Sequence, residues 1–118
     1  MNDQAIEQEI IAKGLTAARV TPADIEGNIA SAVYFTAFDG FHGNDATEDQ
    51  SIATCDALRL LTFCVLVLRN GFTVTGESAC ASPENFDAEI GRKIARQNAE
   101  QKIWPLLGFL LKQKLSEA

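Results

Sequence analysis

Apolar and polar residues fall along this chain in blocks that separate helix from strand. Ile6, Ile10 and Ile11 recur at helical spacing behind Asn2 and Asp3, either of which can cap a helix, and Gly14 stops the pattern. Leu15 to Val20 reads as a connector. Thr21 then supplies an N-cap, Pro22 a first helical residue, and Asp24 and Glu26 an acidic first turn. This second helix is brief, because Val33-Tyr34-Phe35-Thr36 is β-branched and aromatic and predicts a strand from about Ala32 to Phe38. Asp39 to Thr54 is rich in Gly, Asp, Asn and Thr and has no period, so a flexible loop is expected over 39–54, read first as a tolerated insertion.

Leu60 to Ser78 carries the strongest pattern. Two β-rich runs flank Asn70-Gly71, the pair suited to a type I′ hairpin. That turn would set Arg69 opposite Phe72, Val67 opposite Val74 and Val65 opposite Gly76. One face would then carry Phe63, Val65, Val67, Phe72 and Val74. The first run is apolar on both faces and belongs in the middle of a sheet, whereas the second alternates and keeps one wetter face. Ser82-Pro83-Glu84 looks like the start of a long helix, with Asn85 as a rival cap. Phe86, Ile90 and Ile94 form its expected core stripe. Gly91, Ala95 and Ala99 form a second stripe of small residues that lets another backbone come close. Pro105 should interrupt the helix after Trp104. Beyond it Leu106, Leu107, Phe109, Leu110 and Leu111 are apolar nearly all round, so part of their burial is expected in a subunit interface. The expected fold is α+β over a single domain 1–118. A small antiparallel sheet of about three strands packs on a long C-terminal helical segment, with short helices at the N-terminus.

Composition narrows the function. A chain of 118 residues that is 47% apolar can bury a core without disulfides or metals. Its net charge of -6 argues against binding a DNA or RNA duplex but leaves room for a small anion, which needs only two or three well-placed cations. Cys55, Cys64 and Cys80 are an odd number at wide spacing, neither a disulfide framework nor a zinc motif. The polar first residues are no signal peptide, and Phe63 to Leu68 is far too short an apolar run to span a membrane. A reducing cytoplasmic setting is expected.

No complete active site can be assembled from these residues. His42 is the sole histidine and lies in the expected loop without a nucleophile or orienting partner in sequence reach. Cys64 falls within a strand and reads as an inert buried thiol. Cys80 precedes the helix start, where a thiol pKa drops, but small-residue packing at a strand end is the favoured reading. Arg92, Lys93 and Arg96 cluster on the long helix. Arg92 and Arg96 lie one turn apart and can face one anion, or else lie on a solvated face with Glu89 and Glu100 as i,i+4 partners.

Three segments carry a family resemblance: Phe63 to Cys80, Ser82 to Arg96, and Lys102-Ile103-Trp104-Pro105-Leu106, joined by Thr21 to Glu26. They resemble a family of small phage and prophage proteins that includes the first-described class of anti-Thoeris sponges. Thoeris is a bacterial defence system in which a TIR-domain protein makes a cyclic ADP-ribose isomer as an alarm signal. The resemblance implies a sponge that binds this signal without cleaving it, is oligomeric (a dimer or higher), holds the ligand in recessed pockets and works in the cytoplasm of the infected host. Cyclic oligonucleotides are a further ligand class it leaves open. It implies no catalytic residue, no metal and no cofactor. An aromatic ring would stack on adenine while arginines hold the pyrophosphate, and the best local candidates for these roles are Asn85, Phe86, Arg92 and Arg96, with Asn98 and Lys114 behind them. The rival reading is a phage interaction protein that binds a host protein through the apolar C-terminal segment and takes no small ligand.

Overall fold

The computed structural model describes residues 3–15, 17–42 and 51–118. Among them, α1 (Asp3–Ala12) and α2 (Pro22–Gly27) precede β1 (Ile29–Thr36), and α3 (Ala37–His42) and α4 (Ile52–Leu58) precede the hairpin β2 (Leu61–Leu68) and β3 (Thr73–Ala79). A 3-10 turn (Pro83–Asn85) leads into α5 (Ala88–Gln101) and α6 (Ile103–Ser116). The fold is α+β: the strands form one antiparallel sheet in the order β1-β2-β3, with α5 across one face. β2 takes the central place that its two apolar faces require.

The N-terminal reading holds closely. Thr21 accepts from the Asp24 amide and the Asp24 carboxylate accepts from the Thr21 amide, a reciprocal cap that starts α2. Gly14 ends the first helical segment with φ of 70°. The first strand runs earlier than expected, from Ile29 rather than Ala32, and stops at Thr36 rather than Phe38. It stops because Thr36 and Asp39 repeat the reciprocal cap (2.8 and 3.2 Å) and turn Ala37–His42 into helix. The loop expected over Asp39–Thr54 is therefore shorter at both ends. Ser51 caps a second helix by accepting from the Thr54 amide at 3.2 Å, and residues 43–50 lie outside the described residues.

The hairpin register differs from the two-residue turn by one residue. Leu68 donates to Phe72 at 2.8 Å, and the Gly71 amide donates to the Leu68 carbonyl at 2.9 Å. The loop therefore has three residues, Arg69-Asn70-Gly71, with Gly71 at φ +88°. This is a type I turn closed by a left-handed glycine, the other connection that Asn-Gly supports. Val74 now pairs with Leu66 and Gly76 with Cys64, so the buried face is Thr62, Cys64, Leu66, Leu68, Val74 and Gly76. Phe72, expected inside, is 57% exposed at the tip. Thr73, Thr75 and Glu77 form the wet face.

The helix start and its buried stripe also need correction. Ser82-Pro83 opens only the 3-10 turn and makes no side-chain cap; Asp87 caps the helix by accepting from the Ile90 amide at 3.0 Å. The buried positions of α5 are Gly91, Ala95 and Ala99, while Ile90 and Ile94 are 56% and 42% exposed. Backbone approach decides this. At Gly76 an added Cβ would stand 2.2 Å from the Ala95 carbonyl oxygen and 2.3 Å from the Ala99 nitrogen, so the small stripe must face the sheet. The core is Ile25, Cys64, Leu66, Leu68, Val74, Ala95, Ala99 and Ile103. The helix breaks at Lys102, two residues before the expected point, because the Pro105 ring excludes the bond to Gln101 and crowds its carbonyl. Trp104, Leu106 and Leu107 still pack half-buried against the core, and beyond them α6 leaves it, with Phe109 71% and Leu110 59% exposed. The radius of gyration, 18.2 Å, accordingly exceeds the roughly 13–14 Å of a compact domain of this length. No helix among the described residues is long and apolar enough to cross a membrane.

Candidate ligand-binding site

Where α5 passes β1 and the start of β2, Phe86, Arg92 and Ala88 meet Tyr34, Phe35, Thr36, Asp39 and Thr62 around a cavity of about 110 Å³. Alternation along β1 turns Tyr34 toward α5, opposite Cys64 on β2. Phe86 also lines a second cavity of about 290 Å³ with Asn85, Cys80, Ile90 and Ile94, at the base of the hairpin. The half-buried Phe86 ring thus stands between two hollows whose joint space reaches the low end of small-ligand pockets, about 300–1,000 Å³.

The two arginines one turn apart have different surroundings. The exposed Arg92 guanidinium makes no ion pair among the described residues. Arg96 is engaged at all three nitrogens: Nε donates to Glu100 at 2.8 Å, Nη2 to Glu26 at 2.9 Å, and Nη1 reaches the Tyr34 hydroxyl at 3.4 Å. The i,i+4 partners Glu89–Lys93 and Glu100–Arg96 are both present. Its two carboxylate partners, Glu26 and Glu100, line a hollow of about 620 Å³ together with Asp3 and Glu7. Four carboxylates there repel an anion, although Arg19 binds Glu7 through both oxygens at 2.5 and 2.8 Å.

The remaining candidates do not join this cluster. Asn98 faces β3, where its amide donates to the Glu77 carbonyl at 2.9 Å. Lys114 is exposed in the last turn of α6. His42 is exposed at the end of α3, its ring stacked on Phe38 at 5.5 Å. Cys64 is fully buried and desolvation pushes its thiol pKa up, so it stays protonated; the Cys80 thiol donates to the Ser82 carbonyl at 3.1 Å. Among the described residues no group of three His, Cys, Asp or Glu side chains is placed to hold a metal ion. Glu100 is the i,i+4 partner that spacing suggests for Arg96, but the sequence places Glu26 only in a helix start and Tyr34 only in a strand, and nothing local joins either to Arg96. Tyr34 lies 62 positions from Arg96, and no local pattern marks such a pair.

The family model described as phage protein (N4 Gp49/phage Sf6 gene 66) family matches residues 20–115, a span that begins after α1. No curated protein and no solved structure matches the chain.

Proposed function

The chain belongs to the phage protein (N4 Gp49/phage Sf6 gene 66) family, and on that premise we propose that it is an anti-defence protein that sequesters a cyclic ADP-ribose-type signalling nucleotide without cleaving it, blocking Thoeris immunity. The observation that carries this reading is the juxtaposition of Phe86 with Arg92, a cation without an ionic partner among the described residues, at the rim of adjoining hollows. A nucleotide needs a flat apolar wall for its base and a cation for its phosphates. Neither hollow alone holds so large a molecule, so a second copy of the chain completes the pocket. The exposed apolar surface of α6 is where that copy docks, giving a homodimer or a higher oligomer.

The same surface supports a second reading. Phe109, Leu110 and Leu115 are exposed together on one terminal helix, which also suits a host protein laid against it without any small ligand. One experiment separates the readings. The purified protein is incubated with cyclic ADP-ribose isomers, washed, and heated to release what it holds. Return of the intact isomer supports the sponge, return of a cleaved product makes the protein an enzyme, and no uptake favours the host-protein module.

A further inference from the structure

Arg92 and Arg96 look equivalent on a helical wheel, but their electrostatic surroundings differ. A phosphate that approached Arg96 would meet the Glu100 and Glu26 carboxylates already seated on the guanidinium, two negative charges against one positive. The Arg96–Glu100 pair is about three-quarters buried, so solvent screens it less than a surface pair. The third arm of Arg96 points to the Tyr34 hydroxyl, and Tyr34 lines the cavity that Arg92 and Phe86 share. Tyr34 is thus held between its cross-strand neighbour Cys64 and a guanidinium that is itself tied to two elements, α2 and α5.

On the nucleotide reading above, we propose that Arg92 alone of the pair meets the ligand phosphate, that Tyr34 is a ligand-contacting wall of the site, and that Arg96 is a positioning residue which fixes the Tyr34 ring. The Glu26–Arg96–Glu100 bridge is then part of the scaffold, and the guanidinium charge is already outweighed by its two carboxylates before ligand arrives. Removing a carboxylate from the bridge has opposite effects in the two possible roles. If Arg96 bound phosphate, Glu100→Gln would free its charge and tighten binding. If Arg96 positions Tyr34, Glu100→Gln loosens an anchor and cannot tighten binding.

The test is calorimetric titration of the full chain with cyclic ADP-ribose as the probe, repeated at two salt concentrations, with melting temperatures recorded for every variant. Arg92→Ala should weaken binding by about tenfold or more and flatten the salt dependence. Glu100→Gln should leave binding unchanged or weaker. Tyr34→Phe and Arg96→Ala should each weaken it, and the double variant should match the weaker single, because the hydroxyl and the guanidinium act through one contact. Tightening in Glu100→Gln, or losses that multiply in the double variant, overturns the assignment while leaving the nucleotide reading in place. If Arg96→Ala does not fold, Glu100→Gln and Tyr34→Phe still decide by the sign and size of their effects. A parent protein that binds none of the probe overturns the nucleotide reading and this assignment together.

Discussion

Replacing Gly76 by alanine tests the packing on which the site depends. Gly76 sits on β3 beneath α5, and an added Cβ would lie 2.2 Å from the Ala95 oxygen, 2.3 Å from the Ala99 nitrogen and 2.9 Å from the Ala99 Cα. All three atoms are backbone, so no rotamer change relieves the contact. Restoring ordinary van der Waals separation requires α5 to rise by about 1 Å, and a gap of 0.5–1 Å forfeits roughly a quarter to a half of the dispersion attraction across it. The affected surface includes Ala95, Ala99 and Leu66, all fully buried. Overpacking usually costs about 1–3 kcal/mol. A clash with helix backbone should reach the top of that range, about 3 kcal/mol, after an offset of about 0.5–1 kcal/mol for removing a strand glycine. At about 4 °C per kcal/mol the melting temperature falls by about 10–15 °C. Far-UV circular dichroism during thermal and urea denaturation, at one fixed protein concentration, measures it. Gly108→Ala is the control: nothing lies within 4 Å of its Cβ, and an alanine in α6 should stabilise by about 0.5–1 kcal/mol. A Gly76→Ala protein that melts with the parent would refute the close approach of α5 and β3.

Asp87→Ala should cost about 0.5–2 kcal/mol as the lost cap of α5, while Ser82→Ala, which makes no capping bond there, should leave urea midpoints unchanged. The hydrogen bond from Arg19 holds the Glu7 carboxyl below the ordinary glutamate range, despite the opposing effect of desolvation. Its folded pKa is depressed, so its stabilisation is present above the unfolded value and is lost as pH falls through the folded one. The melting difference between parent and Glu7→Gln should therefore hold near pH 6–7 and shrink toward about pH 3. Light scattering at micromolar concentration should give at least a dimer mass, and Phe109→Ser with Leu110→Glu should yield a folded monomer; a monomeric parent refutes the role given to α6.

Local chemistry carried much of the fold. The Thr21-Pro22 start, the glycine stop at Gly14, the central place of the doubly apolar Leu61–Leu68 strand and the wet face of its partner follow from side-chain type and spacing alone. Each is decided within a few residues, by φ preference, capping hydrogen bonds or period. The Ser51–Thr54 cap is local too, but it lies inside a stretch whose composition reads as loop, and the Thr36–Asp39 cap straddles the boundary between that stretch and a strand-like run.

What only the tertiary structure decided depends on distance between backbones. Asn70-Gly71 supports two turn geometries, and which one forms depends on the face that must meet α5; the choice moves the register by one residue. Ile90 and Ile94 are the more hydrophobic stripe, yet the smaller Gly91, Ala95 and Ala99 are buried, because Gly76 admits the helix too closely for larger side chains. Arg92 and Arg96 are equal by spacing, and only folding brings Glu26 and Tyr34, 70 and 62 positions away, to one guanidinium and not the other. Helical period sets the face a residue occupies, but the partners it meets there are set by long-range packing, which a one-dimensional pattern does not carry.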